Sequence, residues 1–407
     1  MMSSSHSARY PVRRRWLVLF LVVAAASIAA WHAVAEPDPA KGPLAALKQQ
    51  AGDVHYTKLV VLGDKVQGGI YDPSLQYSPD GKIGYLAYSS ITGDFKPVGP
   101  YVHTHLARSD DHGRSWHFVK AVCPSVDGLL QRPGSDPLAG VWRYEVPSLC
   151  CDPTDRGREW KLFVHKYFWN AKKNRMFDYG WIVLRTAGDP AGTWSEEVPL
   201  FGSGQVVLFG MLKAGRFPRD PYHQTRVDLN QLDPSLAGAV AYSEPGTIVR
   251  DGTIYLSLSV MGPGGPERIV LLASSDHAAT WRFVNTLVNG KDAQALGYSY
   301  LDGSSLAADR GRVFLLAVPG SRRQMHDGTV ALEFESLALG RLKRNPDGSL
   351  RVAAYFAPQP SILSGPGAGQ SDYDERNTEG GLLMPQFNVR AYPEVFQIYQ
   401  TGRRIVP

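Results

Sequence analysis

The sequence predicts an all-β fold assembled from repeated four-stranded units. Three observations carry that expectation. Apolar and aromatic residues come in short runs, as at residues 83–88, 161–167, 253–260 and 312–318. A turn signal precedes each run: Pro79-Asp80-Gly81, Asp155-Arg156-Gly157, Asp251-Gly252 and Asp309-Arg310-Gly311. Helical periodicity is missing beyond the N-terminal apolar run and residues 43–50.

The first element is an export segment, residues 1–35. Arg13, Arg14 and Arg15 precede an apolar run over residues 16–31, and Ala33-Val34-Ala35 reads as a cleavage site. The run is shorter than the roughly 20 apolar residues of a membrane span, so the segment reads as a signal peptide or a membrane anchor. Either way the remainder is expected outside the cytoplasm: periplasmic, secreted or anchored. Residues 36–53 read as a linker and residues 54–407 as one domain. Membrane contact is expected only through an uncleaved N-terminal segment.

The charge points the same way. Residues 1–35 hold four arginines and no acid, so of 43 basic residues 39 remain against 38 acids. A nearly neutral domain gives no reason to expect nucleic acid as a partner. Of the three cysteines, Cys123 can pair with Cys150 or Cys151 in an oxidising compartment, or all three can be buried thiols. No zinc-type spacing is present, so no metal ligands and no required cofactor are expected. A central structural cation such as calcium is compatible with the chain.

The units are marked by a recurring turn. Ser109-Asp110-Asp111-His112-Gly113-Arg114-Ser115-Trp116 fits S-x-D-x-G-x-[S/T]-W at every fixed position. Asp111 can accept from nearby backbone N–H groups, Gly113 supplies a left-handed position, and Trp116 opens the next strand. A looser copy runs from Ser274 to Trp281 around Asp276, with Ala278 where glycine is expected, and a degraded one runs from Ala187 to Trp194. These turns resemble the Asp-box of sialidases and related β-propellers.

Five segments open alike, with an acid, then small or Pro residues, then a strand: Tyr71-Asp72-Pro73-Ser74-Leu75, Glu145-Val146-Pro147-Ser148-Leu149, Glu244-Pro245-Gly246-Thr247-Ile248, Asp302-Gly303-Ser304-Ser305-Leu306 and Glu379-Gly380-Gly381-Leu382-Leu383. The first three precede their turn tryptophan by 44, 49 and 37 residues, about one four-stranded blade. The fifth runs out of chain, so residues 55–62 are expected to supply its outer strand and close the ring. The reading is a five-bladed β-propeller. A six-bladed, sialidase-like ring is the alternative, since residues 201–241 are long enough to hide strands, although residues 216–221 read as a loop over the central face.

In such a ring the inner strands open at one end of a central channel, so Asp72, Glu145 and Glu244 are expected to converge there, with Asp302 and Glu379. Convergent carboxylates suit cleavage of glycosidic bonds, which needs one protonated acid and one ionised base or nucleophile. Crowding of like charges separates the two roles. The chain resembles five-bladed glycosidases of the glycoside hydrolase family 43 type, the arabinanases and xylosidases. On that resemblance Asp72, before Pro73, is base or nucleophile and Glu244 the general acid. Glu145 departs from the Asp usual there, and is expected to orient substrate and tune the acid. His103 and His105, on one face of a strand, and His165 are candidate substrate contacts, as are Arg143, Tyr144, Tyr300, Asp302, Glu379 and Arg390. Trp142, Tyr144, Phe168, Trp169 and Trp181 supply a sugar platform or core. Asp111, Trp116, Asp276 and Trp281 are expected to be structural, and Asp372, Asp374 and Glu375 to lie in a solvated loop. The expected substrate is carbohydrate. Other readings stay open: a non-catalytic carbohydrate- or protein-binding propeller, a sialidase with an arginine clamp and a Tyr–Glu pair, or a polysaccharide lyase with a His/Tyr base.

Overall fold

A computed structural model describes residues 38–39, 42–51, 55–65, 68–96, 99–130, 136–172, 174–202, 207–208, 210–211, 222–223, 225–262, 265–321, 325–359 and 369–406. The export segment and residues 216–221 lie outside the described residues. No described helix is long and apolar enough to cross a membrane.

The described chain is nearly all β and is a β-propeller. Its first antiparallel unit is Gly69–Tyr77, Gly84–Lys96, Gly99–Ser109 and Trp116–Cys123. The second is Leu138–Cys151, Trp160–Asn170, Asn174–Ala187 and Val198–Gly202. Ala241–Arg250, Thr253–Gly262, Gly265–Ser274 and Arg282–Asn289 form the third. Tyr300–Asp309, Arg312–Gly320, Thr329–Ser336 and Val352–Phe356 form the fourth. A last unit joins residues 370–374, Leu383–Phe387, Phe396–Gln400 and, from the N-terminal side, Thr57–Lys58. The strand donated from residues 55–62 is therefore where the unfinished fifth segment requires it. Val61–Leu62 also runs parallel to Trp116–Cys123 at the outer edge of the first unit.

The small residues after each opening acid staple the inner strands into a closed ring. Leu149 N–H donates to Ser74 Oγ at 2.8 Å, joining units one and two. Ser148 and Thr247 hydroxyls lie 2.7 Å apart, and Ser304 Oγ donates to the Glu244 carbonyl at 2.8 Å. Ser305 Oγ donates to Asp372 Oδ1 at 2.7 Å, and Leu75 N–H returns to Asp372 Oδ2 at 2.7 Å. The ring runs from the first inner strand back to itself. Apolar residues of adjacent units fill the space between sheets, so that Trp142, Phe168 and Trp181 are core, not a sugar platform.

Three expectations change. The fifth inner segment is residues 370–374, not a strand opening at Glu379. Asp372 and Asp374 are buried there, not solvated, because their oxygens satisfy the Leu75 and Tyr77 N–H groups of the first unit. Residues 36–53 are not only a linker. Helix Leu44–Ala51 seats Leu44 in the core and pairs Lys48 with the buried Asp327. All three cysteines are free thiols, Cys123 and Cys150 buried and Cys151 partly so.

Candidate active site

The acid–Pro–small openings are β-bulges. In each of the first four inner strands the pairing register slips, between Tyr71 and Ser74, Glu145 and Pro147, Ser243 and Gly246, and Asp302 and Ser305. A residue with positive φ sits at each slip: Asp72 (49°), Val146 (54°), Glu244 (52°) and Gly303 (59°); Gly369 (84°) holds the matching place in the fifth segment. The bulge interrupts the ladder and re-aims side chains at the ring's end, where bulges often accompany function. Asp72 and Glu244 occupy the strained position itself, whereas Glu145 and Asp302 lie one residue earlier.

Asp72 is fully buried. Ser89 Oγ donates to its Oδ2 at 2.7 Å and itself accepts from Val146 N–H at 3.0 Å, while Oδ1 has no partner. Gly369 passes so close to Oδ1 that any Cβ there would overlap it. Burial, then the charge of Glu145, pushes the Asp72 carboxyl well above the usual carboxylate range.

Glu145 has the opposite surroundings. Tyr71 donates to Oε1 at 2.6 Å, Tyr167 donates to Oε2, and Arg175 lies 3.7 Å from Oε1. Arg143 in turn donates to the Tyr167 hydroxyl at 3.2 Å. Burial alone would raise this carboxyl. Arg175, Arg143 and the two tyrosines outweigh burial and hold it ionised, below its ordinary value.

Strand register produces this set. Arg143 pairs with Tyr167 and Glu145 with His165, so alternation places all four on one face. Tyr144, between them, must face the other way, and its hydroxyl donates to Glu197 at 2.8 Å beside Lys166. It therefore faces away from the Glu145 set.

Glu244 and Asp302 complete the group. Glu244 Oε2 and Asp302 Oδ1 are buried atoms without partners. Burial, then Asp302, Asp72 and Glu145, drives the Glu244 carboxyl well above the usual range; burial likewise raises Asp302. His165, buried with Nε2 unpartnered, lies 5.1 Å from the Tyr167 ring and is held neutral by burial, its pKa lowered to about 4.

The structure thus gathers Asp72, Glu145, Glu244, Asp302, Arg143 and His165. It does not gather the rest. His103 and His105 sit on the third strand of the first unit, where His103 bonds Thr92 at 2.7 Å and Ser125 N–H at 2.8 Å, and His105 contacts Asp64 at 3.0 Å. Tyr300 donates to the Met325 carbonyl at 2.9 Å, bracing the segment that carries His326. Glu379 is at the outer rim, 3.5 Å from Arg114, and Arg390 is exposed in a short 3-10 turn after the fifth unit's first pairing strand. Tyr71, Ser89, Tyr167, Arg175 and His326 were not legible as site residues. Two carried a signal: Tyr71 adjoins Asp72, and Tyr167 follows His165 by two along one strand. Burial, then the charge of Arg175, lowers the pKa of His326 to about 4.

The rim turns are separate. Asp111 accepts from Ser115 N–H at 2.9 Å, Ser115 Oγ at 2.6 Å and Ser109 Oγ at 2.8 Å. Asp276 repeats the pattern with Thr280 and Ser274. Trp116 and Trp281 are buried, the latter 5.0 Å from Phe201. Among the described residues no group of three or more His, Cys, Asp or Glu side chains is arranged to hold a metal ion.

No family model matches the sequence, and no curated protein matches it either. Among solved structures the chain resembles the Hadza microbial sialidase Hz136, with a TM-score of 0.44 and 13% identity over 79% of this chain and 51% of that one. It resembles Zg3597, a family 117 glycoside hydrolase of Zobellia galactanivorans, with a TM-score of 0.45 and 14% identity over 85% of this chain and 90% of that one. A GH62 α-L-arabinofuranosidase catalytic domain from Coprinopsis cinerea gives 0.45 and 10% identity, over 86% and 98%. The chain spans about half the length of the sialidase.

Proposed function

We propose that this protein is an exported glycoside hydrolase on a five-bladed propeller. The observation that supports this reading is the meeting of inner-strand carboxyls, Asp72 and Glu244 raised in pKa and Glu145 lowered, at one end of the ring. Glu244 is the general acid: burial and its neighbours keep a proton on it for the leaving glycosidic oxygen. Asp72 is the base or nucleophile, since its Oδ1 has no competing hydrogen bond and Ser89 fixes Oδ2. Glu145 stays ionised and orients Arg175, Tyr71 and Tyr167 around the substrate. The rate should rise with pH as Asp72 loses its proton and fall as Glu244 does. Both carboxyls are raised, so both limbs should lie above the ordinary carboxylate value near ~4. Purified protein assayed on aryl-glycosides and polysaccharides, beside Asp72→Asn and Glu244→Gln, tests the reading; unchanged turnover in both variants would sink it.

One observation favours a second reading. His165, Tyr167, Arg143 and Arg175 form a His–Tyr–Arg cluster beside Glu145. A lyase would use it to remove a proton next to a neutralised carboxylate. An unsaturated, ultraviolet-absorbing sugar end among the products would identify that chemistry, and a saturated reducing end the hydrolase.

A further inference from the structure

Arg175 is held differently from the other arginine of the site. Arg143 is buried, donates to Tyr167 and lies against the Trp169 ring at 5.0 Å. Arg175 has a side chain 41% exposed, and its one polar contact among the described residues is the 3.7 Å approach to Glu145. That is about 1 Å longer than a charge-assisted Arg–carboxylate bond. Glu145 does not need it as a donor, because Tyr71 and Tyr167 already occupy both oxygens. The guanidinium therefore keeps its donors for something outside the chain. Beside it the buried His165 Nε2 also lacks a partner.

From this geometry we infer that Arg175 binds an anionic group of the substrate, a carboxylate or sulfate on the sugar beside the cleaved bond. The inference rests on the reading of the site as one that cleaves glycosidic bonds, and it names the substrate class. A planar fork with free N–H groups at a partly dry site recognises such anions in pairs of bonds. His165 supplies a further donor when its Nε2 carries the proton. A neutral sugar would leave both groups as they stand, unpaired in the empty site, and lose that part of the binding.

Binding to the Glu244→Gln protein, measured by calorimetry, separates the possibilities. The probes are a glucuronic-acid-capped oligosaccharide, a sulfated galacto-oligosaccharide and the neutral counterpart of each. At least one acidic probe should bind about tenfold tighter than its neutral counterpart, as expected for one charge-assisted contact, and the preference should shrink with added salt. The carboxylate and sulfate probes show which anion is preferred. Arg175→Ala should erase the preference, and Arg175→Lys should restore part of it. Equal binding of acidic and neutral probes overturns the inference, as does failure of both acidic probes to bind. An equal loss for both classes in Arg175→Ala also overturns it and leaves Arg175 as a support for Glu145. Cleavage confined to neutral sugars by the wild type removes this inference while leaving the hydrolase reading intact. Tight acidic binding with no cleavage does the reverse.

Discussion

The ring's central end and its outer rim use the same residue types to opposite ends. At the rim, Asp111 and Asp276 have their oxygens filled by Ser and Thr hydroxyls and N–H groups. Those bonds hold both pKa values down to about 2, in Asp111 against the push of partial burial. At the centre, Asp72 and Glu244 each keep one oxygen without a partner, and burial raises both. A satisfied carboxylate fixes a turn. An unsatisfied one costs stability and is free to exchange a proton. The contrast locates the chemistry better than the turn motif does, since the motif marks only where units end.

The largest effect should come from the centre. Glu244→Gln should cut turnover by about two to four orders of magnitude, the range of general acid catalysis, in a protein that folds at least as stably as the wild type. Comparable loss of turnover in Asp111→Ala would erase the contrast. That rim variant should instead lose stability, by about 1–3 kcal/mol for the partners it leaves unpaired, while each folded molecule keeps full activity. Denaturant unfolding alongside active-site-normalised rates reads both.

The third prediction concerns pH and stability. The Asp72 pKa is higher folded than unfolded, so the folded state holds its proton longer and stability falls as pH rises between the two values. Asp72→Asn removes that loss. It should raise Tm at neutral and alkaline pH and leave it little changed below the unfolded value near ~4. A variant less stable at every pH would mean that Asp72 is a structural bond and not a stored cost.

The smallest effect should be at the second rim turn. Ala278 has φ 71° where the first turn has Gly113 at 89°. Ala278→Gly should relieve about 1 kcal/mol of left-handed strain, visible as a small rise in the denaturant midpoint.

Much of the fold was legible because its turns are chemical. The Asp–Gly hairpins, the rim turns at Asp111 and Asp276 and the need for a closing strand from residues 55–62 follow from side chains that write backbone conformation directly. The bulge frame was not. Its positive-φ residue is Asp, Val, Glu and Gly in turn, so no residue type marks it, and Glu145 and Asp302 align one place off. The fifth opening was sought at Glu379 because an acid leads the other four, whereas Gly369 holds that place. Asp372 reads as loop in a polar stretch, yet two hydrogen bonds, from Leu75 and Ser305, draw it into the ring, where burial raises its carboxyl to about 7. Tyr167 and Arg175 reach Glu145 across a hairpin, which spacing alone does not reveal.

The claim that the central carboxylates cleave glycosidic bonds is tested most directly by reducing ends released from a polysaccharide panel, wild type against Glu244→Gln. The account predicts saturated reducing ends from the wild type on at least one substrate and their near-complete loss in a variant that still binds it. Equal release by both proteins, or products ending in an unsaturated sugar, would contradict it.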